Sequence, residues 1–172
     1  MSLRTDTFDL GGLHLSVGDG RRLNLNVAIE PFVLAGERYP VQPSLVEAQL
    51  DVSRTTGNGY ALRLRFDATI NGPCMRCLEP AEPTFSIDAR EVSQPGGGED
   101  LSSPYVDRDT LDLHAWARDA LALALPATLL CRSDCAGLCP VCGENLNSAG
   151  PDHRHETPAD FRWAKLSEIR FE

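Results

Sequence analysis

Two Cys-x-x-Cys pairs lie far apart in this chain, and they constrain its fold more than any other feature. Cys74 and Cys77 form the first pair. Cys139 and Cys142 form the second, which ends a run of four cysteines that starts at Cys131. Thiolates separated by two residues are typical of zinc sites. The sequence therefore predicts that a metal ion brings these distant segments together.

The expected cell compartment supports metal ligation over disulfide bonding. The sequence has no apolar run near the ~20 residues that a membrane span requires, and its first residues lack the apolar core of a signal peptide. We therefore expect a cytoplasmic protein without a membrane partner, in a compartment where thiols stay reduced. A thioredoxin-like redox site would place Cys-x-x-Cys at a helix N-terminus after a strand, and neither pair has that context.

Counting ligands suggests how the metal would be held. Six cysteines supply one four-ligand site with two cysteines to spare, and two tail histidines raise the number of ligands to eight. Eight ligands make two sites, one from Cys74, Cys77, Cys131 and Cys135, and the other from Cys139, Cys142, His153 and His155. We expect one or two structural zinc ions, because thiolate-rich sites are usually closed.

Other partitions stay open from the sequence alone. The gap of one residue between His153 and His155 is tighter than the three to five residues usual between zinc-binding histidines, so these side chains are equally consistent with a solvated tail. A single site joining the two Cys-x-x-Cys pairs is one alternative. A single site within residues 131–142 is the other. The number of zinc ions per chain would separate two sites from one.

Alternating apolar residues predict an antiparallel sheet in the N-terminal two-thirds of the chain. Residues 13–17 and 23–29 flank a Gly-Asp-Gly turn and predict a hairpin. Residues 46–52 and 60–70 flank an Asn-Gly pair, which is the strongest short hairpin signal. A further alternating run starts at Phe85, so we expect the first cysteine pair at the rim of the sheet.

The remaining segments complete an α+β prediction. A helix is expected at about 112–125, capped by Asp112 and ended by Pro126, and a short amphipathic helix at 160–170. The expected organisation is an antiparallel β domain at 1–92 and a flexible acidic linker at 93–109. Residues 110–172, with the helix, the cysteine cluster and the tail, are expected to pack on the β domain as one domain overall.

Charge limits the expected partners. The formal net charge of −9 argues against a protein that coats nucleic acid through bulk electrostatics. Arg76 and Arg132 lie inside the cysteine motifs and are candidates for phosphate or partner contact, because arginine on a rigid turn loses little freedom on binding. Both are equally consistent with cations that offset the charge of nearby thiolates.

Several motifs in a fixed order resemble those of the YceD family. The resemblance covers most of residues 45–167, and its motifs are Cys74-Met-Arg-Cys-Leu-Glu-Pro, Asp112-Leu, Arg118-Asp-Ala-Leu, the run from Leu130 to Asn147, His153-Arg-His-Glu and Arg162-Trp-Ala-Lys-Leu. The members of this family are called large ribosomal RNA subunit accumulation proteins. The resemblance implies a bacterial cytosolic protein needed for normal levels of that RNA, with no established enzymatic activity and no catalytic residues to carry over.

Two functions follow as hypotheses. The first is a non-enzymatic, zinc-stabilised accessory factor in ribosome biogenesis that binds precursor large-subunit RNA or a ribosomal protein. The second is an adaptor that binds a basic ribosomal protein or an RNA-processing enzyme without touching RNA, which suits the acidic charge. Neither has a small-molecule substrate, and a metal-dependent enzyme would need an open coordination position.

Overall fold

The structure is a computed structural model that describes residues 4–98, 101–150 and 152–155. Its strands and helix, in chain order, are β1 (Thr7–Asp9), β2 (Gly20–Val27), β3 (Phe32–Leu34), β4 (Glu37–Tyr39), β5 (Val41–Gln42), β6 (Val46–Arg54), β7 (Tyr60–Ile70), β8 (Gly72–Pro73), β9 (Pro80–Ala81), β10 (Thr84–Ser93), β11 (Val106–Asp107), β12 (Thr110–Asp112) and α1 (Leu113–Ala124). Within the described part of the chain, no helix is long and apolar enough to span a membrane.

An antiparallel sheet forms the centre of the fold, as the alternating pattern predicts. Its strands follow the order β10–β7–β6–β2, and the short β5 pairs with the end of β7. Every second residue of β7 is buried, from Tyr60 to Ile70, and the residues between them lie on the opposite face. The period of two places one face of the sheet in the core.

The predicted hairpin around the Asn-Gly pair is confirmed. Strands β6 and β7 are antiparallel neighbours, with Leu50 opposite Leu64. Between them, Thr55 N–H donates to the carbonyl of Gly59 at 2.9 Å. Gly57 and Asn58 take positive φ angles of 74° and 67°, a conformation that glycine and asparagine accept more easily than other residues.

The helix closes the core on the face where the sheet is buried. The carboxylate of Asp112 accepts a hydrogen bond from the backbone N–H of Ala115 at 2.9 Å, so Asp112 is the N-cap that the sequence predicts. Leu113, Trp116 and Leu121 are buried against the sheet residues. The helix prediction is therefore confirmed, with bounds one residue shorter at each end than 112–125.

The first predicted hairpin is wrong. Residues 13–17 do not form a strand, because Gly11–Leu13 turn in a 3₁₀ helix and His14 takes a left-handed φ of 50°. The carboxylate of Asp9 accepts from the N–H of Gly12 at 3.2 Å and stabilises this turn. Strand β2 forms as expected, but its partner is β6, with Leu23 opposite Leu50. A turn held by a hydrogen bond from the backbone to the Asp9 side chain therefore forms in place of the strand that the alternating pattern predicts.

The segment predicted as a linker contains regular structure at one end. Strand β11 lies within residues 93–109 and pairs with β12, which in turn pairs with β1. Gln94 N–H donates to the carbonyl of Leu101 at 2.7 Å. The flexibility of this segment and the proposed domain limits stay predictions. The predicted C-terminal helix at 160–170 lies outside the described residues.

Candidate metal centres

Each Cys-x-x-Cys pair opens a hairpin, and the two hairpins have the same hydrogen bonds. We call residues 74–79 the first cysteine hairpin and residues 139–144 the second cysteine hairpin. In each, the N–H of the first cysteine donates to the carbonyl five residues later, at 2.7 Å from Cys74 and 2.8 Å from Cys139. In each, that cysteine's carbonyl accepts from the N–H four residues later, at 3.0 and 2.8 Å. The same short turn therefore presents each pair of sulfurs.

The first cysteine hairpin sits at the rim of the main sheet, as the sequence predicts. Strand β8 continues directly from the end of β7 and pairs with β9, so the two strands hold the hairpin at its base. The backbone N–H of Met75 donates to the carbonyl of Leu129 at 2.9 Å, which ties the segment after α1 to the hairpin. This contact brings the second half of the chain to the first cysteine pair.

Four cysteines meet at this place, and we call them the four-cysteine group: Cys74, Cys77, Cys131 and Cys135. Their sulfurs lie within 4.8 Å of one another. The distance between the sulfurs of Cys74 and Cys135 is 3.8 Å, and that between Cys77 and Cys131 is 3.6 Å. Cys74, Cys77 and Cys135 are buried and Cys131 is partly buried.

The spacing of these sulfurs fits a zinc ion. Four thiolates at ~2.3 Å from a tetrahedral zinc lie about 3.8 Å from one another. The two sulfur distances above are close to this value. Bound zinc would have Cys74, Cys77, Cys131 and Cys135 as ligands. The ion would cross-link the two halves of the chain, and its positive charge would offset that of the thiolates.

The thiols of this group differ in pKa. Burial alone would raise the pKa of Cys74, but backbone N–H groups of Cys77, Arg76 and Cys131 outweigh it and lower the value to about 6. Burial and the neighbouring sulfurs raise the pKa of Cys131 to about 12. Four crowded thiolates repel one another, so they ionise together only when a cation joins them.

Asn147 connects the four-cysteine group to the chain that follows it. Its side-chain amide donates to the sulfur of Cys135 at 3.5 Å and, with the backbone N–H of Gly137, holds the pKa of that thiol below its usual value against burial. The carbonyl oxygen of the same side chain accepts from the N–H of Ala136 at 2.8 Å and from Arg132 at 2.9 Å. A second layer of this kind orients metal ligands.

The structure gives both candidate contact arginines intramolecular partners. The guanidinium of Arg76 donates to the backbone carbonyl of Cys135 at 3.1 Å. Arg132 pairs with Asp134 at 3.2 Å in addition to its bond with Asn147. These bonds support the chain around the four-cysteine group. Contact with RNA or a partner through either arginine stays a prediction.

The second group is more open. Cys139, Cys142, His153 and His155 come together, with their ligand atoms within 4.8 Å of one another, and we call them the cysteine–histidine group. Nε2 of His153 lies 3.6 Å from the sulfur of Cys142 and 3.1 Å from Nε2 of His155. Cys139 is buried, His153 is partly buried, and Cys142 and His155 are exposed.

This donor set also fits zinc. A tetrahedral ion with Zn–S of ~2.3 Å and Zn–N of about 2.1 Å separates sulfur from nitrogen by about 3.6 Å and nitrogen from nitrogen by about 3.4 Å. The sulfur–nitrogen distance agrees, and the nitrogen–nitrogen distance is slightly shorter. Bound zinc would have Cys139, Cys142, His153 and His155 as ligands. The one-residue gap between the histidines therefore does not prevent their side chains from meeting.

Glu144 orients one histidine. Its carboxylate lies 3.0 Å from Nδ1 of His153, which leaves Nε2 facing the sulfurs. A hydrogen bond to Cys139 is the main cause that raises the pKa of His153, and Glu144 adds to it. The same hydrogen bond, with the N–H groups of Cys142 and Val141, lowers the pKa of Cys139 to about 6. A carboxylate behind a ligating histidine is a common support in zinc sites.

Residues 62–170, which include all eight ligand candidates, match the family described as "Large ribosomal RNA subunit accumulation protein YceD". The chain belongs to the YceD family. No solved structure matches it significantly. The family match covers most of β7, both cysteine hairpins and the helix, so it includes the whole of the candidate site.

Curated relatives match more than half of this YceD-family chain. An uncharacterized protein of Mycobacterium tuberculosis is 42% identical over 135 residues, which are 74% of this chain and 63% of that protein. One of Mycobacterium leprae is 33% identical over 103 residues, 56% of this chain and 46% of that protein. A chloroplastic YCED homolog 1 of maize, named for large ribosomal RNA subunit accumulation, is 27% identical over 147 residues, 63% of this chain and 47% of that protein. The chain thus spans less than two-thirds of the length of these relatives.

Sequence reasoning missed the support residues of this YceD-family site. Asn147 and Glu144 received no role, although they contact Cys135 and His153. A signal for Glu144 was present, because both hairpins have the form Cys-x-x-Cys-x-Glu, ending in Glu79 and Glu144. Asn147 had no such signal, since its distance along the chain from Cys135 does not indicate a contact.

Proposed function

We propose that this chain is a non-enzymatic zinc-binding accessory factor in ribosome biogenesis, which acts in the bacterial cytoplasm on the accumulation or processing of large-subunit ribosomal RNA. The observation that carries the proposal is the YceD-family match over residues 62–170. The name of the maize relative supports it. The matched segment contains both ligand groups, so the candidate metal centres lie in the part of the chain that matches the family.

Zinc has a structural role in this proposal. The four-cysteine group fills a tetrahedron with protein ligands, which suits a closed site and leaves water or substrate without a coordination position. Its ligands come from two segments more than fifty residues apart, and structural zinc contributes apparent free energies on the order of 10 kcal/mol in small finger peptides. The ion would hold the segment after α1 against the rim of the sheet.

A complementation experiment tests this function. Cells depleted of the protein are expected to have a lower ratio of large-subunit to small-subunit ribosomal RNA, restored by the unchanged chain and not by Cys74→Ser with Cys77→Ser. Ser16→Ala is a matched control, because Ser16 lies outside both ligand groups and bonds through its backbone N–H to Asp19. An unchanged ratio after depletion would contradict the proposed role.

Charge favours a second candidate, an adaptor that binds a basic ribosomal protein or an RNA-processing enzyme without touching RNA. The chain carries a net charge of −9. Three arginines on the exposed face of the sheet are paired with acids, Arg22 and Arg65 with Asp51 and Arg63 with Asp88. Paired guanidinium groups offer little net attraction to phosphate.

A pull-down from cells, with and without ribonuclease, separates the two candidates. Partners that survive ribonuclease support the adaptor. Partners that disappear with the RNA support direct binding to precursor RNA. In the second case, purified zinc-loaded protein should also bind large-subunit RNA fragments with an affinity that falls as salt rises.

A further inference from the structure

The two ligand groups differ in how far solvent reaches their cysteines. In the four-cysteine group, three of the four cysteines are buried and the fourth is partly buried. In the cysteine–histidine group, Cys139 is buried, but Cys142 is exposed. The reaction of a thiolate with a small oxidant depends on its exposure to solvent. An oxidant in solution therefore reaches Cys142 more readily than any of the other five cysteines.

A second thiol lies within reach of Cys142. Cys139 belongs to the same hairpin, and the ligand atoms of the group, including both sulfurs, lie within 4.8 Å of one another. A disulfide needs its sulfurs at about 2.05 Å, so the hairpin must move a little to close one. The side chain of Val141 is 65% exposed. Among the described residues, apart from its chain neighbours, no atom lies within 4 Å of where a Cβ on Gly143 would stand. The hairpin has room for this movement.

Proximity alone does not single out this pair, but access does. Two pairs of sulfurs in the four-cysteine group are also close, at 3.6 and 3.8 Å. The segments that carry them are packed together, since the Met75 N–H donates to the carbonyl of Leu129 at 2.9 Å and Arg76 donates to the carbonyl of Cys135 at 3.1 Å. An oxidant must first reach a thiolate, so the buried group is protected while the exposed cysteine reacts.

The second cysteine hairpin is joined to the rest of the chain by bonds that involve none of its sulfurs. The N–H of Leu146 donates to the carbonyl of Gly137 at 2.9 Å, and the amide of Asn145 donates to Glu79 at 3.1 Å. Loss of the two sulfur ligands would leave only two histidines for the zinc ion of this group. Oxidation here therefore removes one metal ion and keeps the hairpin attached.

We propose that Cys139 and Cys142 are a peroxide-sensitive pair whose conversion to a disulfide releases the zinc ion of the cysteine–histidine group. The thiolate of Cys142 attacks one oxygen of hydrogen peroxide, which breaks the O–O bond, forms a sulfenic acid and releases hydroxide. The thiolate of Cys139 attacks the sulfenic sulfur, forms the S–S bond and releases a second hydroxide. The two sulfurs together lose two electrons, which the peroxide gains, and zinc leaves as the hydrated ion.

This inference goes beyond the proposed function and rests only on its zinc-binding part. In a compartment that keeps thiols reduced, a disulfide of this kind is transient and suits redox sensing. A dithiol reductant restores both thiolates by exchange, and zinc can then bind again. The pair would thus make one of the two metal centres depend on the level of peroxide and leave the other in place.

Peroxide treatment of the purified, zinc-loaded full chain tests the pair. Free zinc is removed by gel filtration, native mass spectrometry counts the ions that remain, and peptide mapping after alkylation locates the disulfide. We expect the loss of one zinc ion, a disulfide between Cys139 and Cys142, and four cysteines still open to alkylation after unfolding. Dithiothreitol with added zinc should restore the second ion. An untreated sample carried through the same steps should keep both ions.

A variant that keeps a metal ligand separates oxidation from simple loss of the site. Cys142→His removes the exposed thiol but supplies another zinc ligand. It should lose its second ion to peroxide roughly tenfold or more slowly than the unchanged chain, because the disulfide can no longer form. Val141→Ala is the matched control and should lose the ion at the unchanged rate. If Cys142→His binds a single ion, the disulfide map of the unchanged chain decides the question.

Several results would overturn the proposal. They are a first disulfide within the four-cysteine group, loss of both ions at one rate, release of zinc without the disulfide between Cys139 and Cys142, or an untreated chain without zinc at the cysteine–histidine group. The proposed function is judged by the ribosomal RNA ratio after depletion. A disulfide that forms as expected, with an unchanged ratio, would support the pair and contradict the function, whereas a lowered ratio with no disulfide would do the reverse.

Discussion

The side-chain amide of Asn147 donates a hydrogen bond to the sulfur of Cys135 across 3.5 Å. The other end of the same side chain accepts from the backbone N–H of Ala136 and from Arg132. One side chain thus stabilises a thiolate and holds the loop that carries it. This relationship makes Asn147 the support residue whose removal should affect the metal most.

Replacing Asn147 is expected to weaken zinc binding at the four-cysteine group. Asn147→Ala removes the donor to Cys135 and should lower the affinity about 10–100-fold, the usual effect of losing a support of this kind. Asn147→Asp keeps an acceptor for Ala136 but places a carboxylate beside the thiolate, and should lower the affinity at least as much. Competition with a chromophoric chelator measures both.

Ser148→Ala is the matched control for Asn147, because the Ser148 hydroxyl donates to the carbonyl of Asn145 and not to a sulfur. It should retain the affinity of the unchanged chain. An Asn147→Ala variant that binds zinc as tightly as Ser148→Ala would show that the hydrogen bond to Cys135 has no part in holding the metal.

The two groups should release zinc at different rates. Cys142 and His155 are exposed, whereas three of the four ligands in the four-cysteine group are buried, so a chelator reaches the cysteine–histidine group first. We expect two phases of zinc release. His153→Ala with His155→Ala should abolish the fast phase and keep the slow one. A single phase, or a fast phase abolished by Cys77→Ser, would contradict the assignment.

Leu78 and Gly143 each follow the second cysteine of their hairpin, and both take a left-handed φ, of 63° and 76°. Substitution should change the free energy of unfolding in opposite directions at these two positions. Leu78→Gly relieves a left-handed conformation that costs L-residues ~1–2 kcal/mol, partly offset by the greater freedom of glycine in the unfolded chain. It should leave the free energy of unfolding unchanged or raise it by up to about 1 kcal/mol. Gly143→Ala introduces the same strain and should lower it by about 1 kcal/mol. Denaturant unfolding of the zinc-loaded chains measures both, and equal destabilisation by the two changes would contradict the equivalence of the hairpins.

Acid should remove one contribution of the sheet to stability. The carboxylate of Asp51 accepts hydrogen bonds from Arg22 and Arg65. These bonds outweigh the effect of partial burial and hold the pKa of Asp51 below its usual value. Because the pKa is lower in the folded state, this contribution is fully present above about pH 4 and is lost as the pH falls through the folded-state pKa. The difference in Tm between the unchanged chain and Asp51→Asn should therefore be largest above about pH 4 and shrink below it. A difference that grows on acidification would contradict the assigned direction.

Regular periodicity allowed much of the sheet and the helix to be predicted. Strands β6, β7 and β10 have uninterrupted alternation, and α1 has an aspartate cap in front of an apolar face, so local and tertiary preferences agree. The segment at 13–17 alternates equally well, but Asp9 and two glycines favour a turn there. The partner of β2 could not be predicted either, since pairing between distant strands has no local signal.

Their number and order along the chain suggested two groups of four ligand candidates but left single-site partitions open, and the structure brings the eight side chains together in those two groups. Their supports could not be predicted in the same way. Asn147 meets Cys135 because the chain returns after the second cysteine hairpin, where Leu146 N–H donates to the carbonyl of Gly137 at 2.9 Å. Such contacts depend on the three-dimensional path of a loop, which residue spacing does not specify.

The number of zinc ions bound by each chain tests the account most directly. Native mass spectrometry of the purified chain should show two zinc ions. One ion should remain after Cys74→Ser with Cys77→Ser, and one after His153→Ala with His155→Ala. A single ion in the unchanged chain, or no zinc at all, would contradict the two metal centres on which the account rests.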